Sequence, residues 1–505
     1  MDISFKEVLT GSKCFAILMS KKACNFMRRR KMCETKTKIK FGTGGWRAVI
    51  GDDFTKENIC RVAQAVAELM KQDGKTDKPI IIGYDRRFMS EDAARWVAEV
   101  MCANGIKVKT LHRSAPTPLI MYTVKSEELY YGIEITASHN PANYNGIKLI
   151  VEEGRDASLE CTERLESLID LAETVSMDLA DAERQGMVEY LKTPFNGFLD
   201  SILSRLDTER IRESGLRILF DPMHGSGTYP LMTILYTTRC TVDLMNSNKD
   251  AYFGGSMPAP SYEELGPLIQ RVVREGYDLG IAVDGDGDRL GIVDAGGQYL
   301  NANQILVMLY YYLHEYRGWK GPVVRNLATT HMLDKVAESF EEQCYEVPVG
   351  FKYISSKMDE VDAVLGGESS GGLTVRGHIF GKDSVYAASL FVEMVCAVGK
   401  SPSEFWAELV EKYGSFEMVE CNLAFTEAEK QRVETLIMKE RRLPDFKKTV
   451  SKVSYSDGCK VYFEDGSFII CRFSGTEPLL RIFAEAGDKA TASDTISVMK
   501  EFVGY

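Results

Sequence analysis

From Lys40 onward the chain alternates short apolar runs with segments of helical period, a pattern met by folds built from repeated strand–helix units. Pro79-Ile-Ile-Ile-Gly-Tyr-Asp85 reads as a buried strand. Ser90 then caps a helix through Asn104, with Ala94, Val97 and Val100 on one face and Gly105 closing it. Ile106–Leu111 and Leu129–Thr136 read as further strands. A second cycle comprises the strand Leu216–Asp221, a helix Tyr262–Glu275 and the strand Asp278–Val283. A third has a helix Ala302–Tyr316, the strand Val323–Asn326, a helix Met332–Phe340, the strand Ala363–Leu365 and a long helix after Lys382. The end of the chain differs. Lys460–Cys471 is two alternating runs around an Asp-Gly turn, a hairpin signal, flanked by helices Glu427–Arg441 and Thr491–Val503. The pattern predicts three α/β modules and a smaller α+β module, with no low-complexity linker to keep them apart.

Length and charge agree with several domains and narrow the partners. At 505 residues the chain exceeds the ~100–200 residues of one domain. Its net charge of −12 leaves no basic excess for nucleic acid, and suits an anionic small substrate only if the pocket is locally basic. The 12 cysteines form no CxxC pair, as expected of free thiols in a reducing cytoplasm. No apolar run reaches the ~18 residues needed to span a bilayer, so no membrane partner is expected. Cys14–Met19 is too short, and followed by too much charge, for a secretory signal. Residues 21–40 carry nine Lys or Arg against one Glu, and residues 1–40 read as a solvated basic extension.

Four polar motifs interrupt the pattern, one per module. In Ile133-Glu-Ile-Thr-Ala-Ser-His-Asn-Pro141 a strand runs to Ser138, and Asn140-Pro141 turn the chain so that the serine is displayed rather than packed. Lys148 lies near enough in sequence to share its cleft. Asp284-Gly-Asp-Gly-Asp288-Arg289 follows a strand, and its three carboxylates can converge on one hard cation because the glycines permit a tight turn. Without a cation they would repel one another. An EF-hand is disfavoured, since position 295 is Ala and Leu290–Asp294 reads as strand; so few ligands suit Mg²⁺ sharing a phosphate oxygen. Gly366-Gly-Glu-Ser-Ser-Gly-Gly372 offers a carboxylate and hydroxyls for a sugar. Arg472-Phe-Ser-Gly-Thr-Glu-Pro478 with Arg481 offers arginines, hydroxyls and backbone amides for a phosphate dianion. A nucleophile, a cation, a hydroxyl reader and a phosphate grip together suit a sugar phosphate held at both ends.

Taken in order, these motifs resemble those of the α-D-phosphohexomutases, over essentially everything from Phe41 to Tyr505. Gly42-Thr-Gly-Gly-Trp-Arg47, Asp221-Pro-Met-His-Gly-Ser-Gly227 and Gly350-Phe-Lys352 support the likeness. The resemblance implies an α/β fold: three similar mixed-sheet α/β domains (41–190, 191–298 and 299–411) plus a smaller C-terminal α+β domain (412–505) around a central cleft. It implies that Ser138 carries a phosphoryl group, with Mg²⁺ between that group and Asp284, Asp286 and Asp288. The phosphoserine donates to a hexose monophosphate, giving a bisphosphate that turns over and returns its other phosphate, so that glucose 1,6-bisphosphate or an equivalent acts as activator. Arg47, His139, Lys148 and Arg289 are implied to surround the transferring group, Lys148 being the first choice for proton exchange. Lys352, Glu368, Ser370, His378 and Lys382 are implied to meet the sugar. Arg472, Ser474, Gly475, Thr476 and Arg481 are implied to hold its phosphate.

Within the family the details favour glucose 1-phosphate and glucose 6-phosphate. Some bacterial members of dual mannose and glucose specificity carry His where this chain has Gly372. His378-Ile-Phe-Gly-Lys382-Asp383 and Gly350-Phe-Lys352 instead resemble segments of phosphoglucomutases. Mannose phosphates are the alternative, and glucosamine phosphate ranks below them because the sugar loop has Ser where that subgroup carries Gln. A phosphatase, in which water intercepts the phosphoserine, and a non-enzymatic binding protein are the rival readings; the latter would be expected to lose Ser138 or an aspartate. The expected state is a cytoplasmic monomer or homodimer.

Overall fold

The computed structural model describes residues 38–505 apart from 43 and 475–478; the basic extension, but for its last three residues, and the apolar run Cys14–Met19 lie outside these. The first sheet contains β1 (Trp46–Val49), β2 (Ile80–Tyr84), β3 (Val108–Thr110), β4 (Tyr131–Ile135), β5 (Tyr144–Val151), β6 (Arg155–Asp156) and β7 (Val188–Tyr190). Its order is β1-β5-β4-β2-β3-β7, with β6 on β5. The second has β8 (Arg217–Asp221), β9 (Thr241–Leu244), β10 (Leu279–Val283), β11 (Leu290–Asp294) and β12 (Tyr299–Leu300), in the order β12-β11-β10-β8-β9. The third has β13 (Val323–Asn326), β14 (Cys344–Val347), β15 (Leu365–Gly367) and β16 (Leu373–Val375), in the order β14-β13-β15-β16. The last sheet is antiparallel throughout: β17 (Glu417–Ala424), β18 (Val450–Ser454), β19 (Cys459–Phe463), β20 (Phe468–Phe473) and β21 (Leu479–Ala486), in the order β17-β21-β20-β19-β18.

A shared device positions the site. Each of the first three sheets has a parallel core (β4-β2-β3, β10-β8-β9 and β15-β13-β14), to which one antiparallel return strand is added: β5, β11 or β16. The parallel strands β2, β4 and β10 are buried along their whole length, as strands covered on both faces must be. The turn into the return strand carries a motif: Ser138 between β4 and β5, the aspartates between β10 and β11, Glu368 between β15 and β16. Arg472 and Arg481 face each other across the equivalent pair β20 and β21. The sequence pattern carries the strand to Ser138. The strand in fact ends at Ile135, and the chain folds straight back through β5.

One apolar core runs through the first three domains, from Ile81 in the first to Leu409 in the third. The fourth has its own core and meets the third through Leu327 and Ala328 against Phe468, Ile470 and Phe483. Two expected helices differ. The segment expected to be helical from Tyr262 starts at Gly266, where Pro267 is favoured in the first turn; that expected over Glu427–Arg441 is α-helical only to Val433 and widens to a π-turn over Glu434–Lys439. Helices Lys56–Gln72 and Thr117–Ser126 lie outside the sequence reading. Among the described residues, no single helix is long and apolar enough to cross a membrane.

Candidate active site

Ser138 is 2% exposed, not displayed to solvent as its strand-end position suggested, because the aspartate loop closes over it. Its backbone is left-handed (φ +50°), its amide donates to Thr136 Oγ1 at 2.8 Å, and its Oγ lies 3.1 Å from Asp284 Oδ2 and 3.4 Å from His139 Nδ1. Close approach of the two loops needs Gly285: a Cβ there would stand 2.9 Å from the Ser138 carbonyl oxygen. Gly287, at φ +72°, makes the turn that brings Asp284, Asp286 and Asp288 together.

These three carboxylates are buried, each with an oxygen within 4.8 Å of the others. Asp284 Oδ1 accepts from the Asp288 and Arg289 amides, and Asp286 Oδ2 accepts from Thr117 Oγ1 at 2.8 Å. Among the described residues, no hydrogen-bond donor reaches the buried Asp286 Oδ1 or Asp288 Oδ1. Burial, then the charges of Asp286 and Asp288, push the Asp284 carboxyl well above the ordinary range. Burial acts the same way on Asp288, yet Lys382 (2.8 Å), Lys148 (3.6 Å) and Arg289 (3.8 Å) outweigh it and hold that carboxyl low. Crowded oxygens with open lone pairs fit a hard divalent cation.

The cleft lined by His139, next to Ser138 in the chain, has a volume of 140 Å³ and draws on all four domains. Arg47, Lys148, Arg289, Lys382, Arg472 and Arg481 line it against two carboxylates, Asp156 and Glu368, so this acidic protein keeps a locally basic pocket. Arg47 donates to Asn140 Oδ1. His139 is pushed well below the usual imidazole range by burial and by Arg289, Arg47 and Lys382. Burial alone would depress Lys148, but Asp156 at 3.2 Å and Asp288 hold its ammonium above the ordinary value. In the turn between β15 and β16 Glu368 accepts from Ser370 Oγ at 2.7 Å and from Asn326 Nδ2 at 3.3 Å.

Arg472 pairs with Asp457 at 3.3 Å and Arg481 with Glu420 at 3.8 Å; the Ser474 amide donates to Leu479 O. Gly475 and Thr476 lie outside the described residues. Two expected residues stand apart from the lining. Lys352 is half-buried in the helix Phe351–Val361, whose first residue borders the cleft, and burial lowers its amine. His378 is buried behind it, with Nε2 2.6 Å from Asp383 Oδ2 and its ring against Tyr386 and Phe198. It braces the Lys382-Asp383 turn and does not line the cleft. Thr117, Asp156 and Asn326 join the site unannounced by any of the four motifs. Pro116 and Pro118 around Thr117 mark a helix start, a signal that locates the residue without revealing its partner.

Profiles of the phosphoglucomutase/phosphomannomutase family match in order: α/β/α domain I over residues 38–175, domain II over 196–297, domain III over 301–413 and the C-terminal domain over 420–500. A phosphoglucomutase/phosphomannomutase of Thermococcus kodakarensis is 28% identical over 91% of this chain and 97% of its own. A phosphoglucosamine/phosphogalactosamine mutase of Sulfurisphaera tokodaii is 27% identical over 92% and 98%. The crystal structure of a Thermus thermophilus protein proposed to be a phosphomannomutase superposes with a TM-score of 0.81 at 26% identity, covering 93% of this chain and all of that one. The chain belongs to the phosphoglucomutase/phosphomannomutase family of the α-D-phosphohexomutase superfamily.

Proposed function

We propose that this chain interconverts hexose 1-phosphates and hexose 6-phosphates, with glucose as the preferred sugar, by way of phosphorylated Ser138 and a sugar bisphosphate. One observation carries the reading: Ser138 Oγ sits 3.1 Å from Asp284 of a buried carboxylate triad, and the next residue, His139, lines a cleft with six cationic side chains. In the first half-reaction the bond from phosphorus to Ser138 Oγ breaks as one forms to the free hydroxyl of the bound monophosphate. In the second, the bisphosphate is reversed in the cleft and returns its other phosphoryl group to Ser138. Arg472, Ser474 and Arg481, with Gly475 and Thr476, grip whichever phosphate is not reacting. Glu368 and Ser370 accept from and donate to the sugar hydroxyls, and Lys352 and Lys382 add positive charge at that end.

Mg²⁺ held by Asp284, Asp286, Asp288 and the Ser138 side would supply charge neutralisation at the transferring oxygens. Arg47 and Arg289 add fixed positive charge there. His139, neutral in its cationic surroundings, can accept a proton near Ser138 Oγ. Lys148 keeps its proton against two carboxylates and serves as a donor. A cytoplasmic setting accords with the nine cysteines free among the described residues.

The test is a coupled assay primed with glucose 1,6-bisphosphate. Glucose 6-phosphate should form from glucose 1-phosphate without release of inorganic phosphate; phosphate release as the main product would favour the phosphatase instead. A second reading, an amino-sugar phosphate, is favoured by the phosphoglucosamine/phosphogalactosamine mutase among the relatives. Comparison of kcat/KM on glucose, mannose, glucosamine and N-acetylglucosamine 1-phosphates separates the two.

A further inference from the structure

Behind the serine loop lies a side chain with no part in the chemistry above. Arg87 follows β2 in Asp85-Arg86-Arg87 and is 3% exposed. Its guanidinium meets four main-chain carbonyls of the loop and the start of its return strand. Nη2 donates to Ser138 O and Asn140 O, both at 2.6 Å; Nη1 donates to Pro141 O at 2.8 Å and Tyr144 O at 3.1 Å. The guanidinium is itself aimed. Asp85 Oδ2 lies 3.4 Å from its Nε, both side chains being fully buried, and Asp85 Oδ1 is fixed by Ser90 Oγ and the Arg87 amide. Phe253 of the second domain covers the guanidinium at 4.8 Å.

The loop's other outside ties, Arg47 to Asn140 Oδ1, the Ile50 amide to Asn143 O and Ser138 Oγ to Asp284, leave the Ser138 carbonyl to Arg87. Within it the Ser138 amide bonds Thr136 Oγ1 and the Asn140 amide bonds Ala137 O. Ser138 is nevertheless held at φ +50°, which a residue with a side chain keeps only when its surroundings impose it. A planar fork with five donors can hold four converging carbonyls at once; an ammonium on a flexible stem cannot. We propose that Arg87 is the positioning residue of the nucleophile: through these carbonyls it imposes the left-handed turn at Ser138 and so aims Oγ at the aspartate triad. This rests on the reading of Ser138 as the phosphoryl carrier.

The experiment measures, in wild type and Arg87→Lys, the rate at which glucose 1,6-bisphosphate phosphorylates Ser138, the KM and kcat for glucose 1-phosphate, and the melting temperature. In folded Arg87→Lys the loading rate and kcat should fall about 100-fold, the usual scale for misplacing a reacting atom by an ångström. KM should stay within about 3-fold, because the grip at Arg472 and Arg481 belongs to another domain. Wild-type loading in a folded Arg87→Lys, or a raised KM with loading unchanged, would overturn the proposal. Should Arg87→Lys fail to fold, Asp85→Asn leaves the guanidinium but removes its aim, and should slow loading about 10-fold at unchanged KM; unchanged loading there overturns the proposal equally. A wild type that takes no phosphoryl group at Ser138 removes instead the reading on which the proposal stands.

Discussion

At Gly372 the missing side chain decides where Lys382 can lie. A Cβ at that position would stand 2.1 Å from Lys382 Cδ, so the lysine occupies the space a larger residue would fill and reaches Asp288 at 2.8 Å. Gly372→His should therefore displace Lys382 and lower kcat/KM for glucose 1-phosphate about 10-fold or more, the value of one charge-assisted contact. Initial rates with wild-type efficiency would show that Lys382 is not needed there. Arg472 belongs to the other end of the cleft. Its loss in Arg472→Ala should raise KM by about 10-fold or more at nearly unchanged melting temperature, since Asp457 retains solvent access at 24% exposure. An unaltered KM would place the phosphate elsewhere.

Among the elements, the helix Ser384–Val398 ties the His378–Asp383 segment to the aspartate loop. Asp383 caps it, accepting from the amides of Val385 and Tyr386, and its other oxygen holds His378. Ser384 donates through both its amide and its hydroxyl to Gly287 O, in the aspartate turn. Asp383→Ala should cost about 1 kcal/mol for the lost cap and a further ~1–3 kcal/mol for a buried histidine left without its partner. Urea unfolding checks this, and a change below about 0.5 kcal/mol would show that the cap is dispensable. These ties mark what the sequence made legible. Short apolar runs located β2, β4, β10 and β13, and the polar motifs beyond β4, β10 and β15 located the loops, because periodicity and turn chemistry are local. The antiparallel returns β5, β11 and β16, the burial of Ser138, and the hold of Arg87 and Thr117 on distant backbone depend on which segments meet in space. A buried arginine beside a strand reads in sequence like any surface arginine. His378 shows the converse: its motif was legible, yet its ring points into the core because Asp383 and Tyr386 claim it.

For the molecule as a whole, the fourth domain is anchored to the third by a buried charge cluster as well as by apolar contact. Lys460 on β19 donates to Leu327 O at 2.8 Å and to Glu346 Oε2 at 2.6 Å, and Glu346 also accepts from Arg325. Burial and then Arg325 push the Lys460 amine down to about 8, against the pull of Glu346. Between pH 8 and the ordinary lysine range the unfolded chain thus binds more protons than the folded one. Stability from this group rises with pH through that window. Relative to Lys460→Met, wild-type stability should increase as pH is raised from about 8 to about 10; a constant difference would contradict the anchor's titration. The four-domain arrangement matters because residues of all four line one cleft beside the serine loop. The most direct test is the mass of the protein after incubation with Mg²⁺ and glucose 1,6-bisphosphate, followed by addition of glucose 1-phosphate. One phosphoryl group should appear on the Ser138 peptide and pass to the sugar, while Ser138→Ala takes up none and is inactive. Mutase activity at wild-type level in Ser138→Ala would contradict the account.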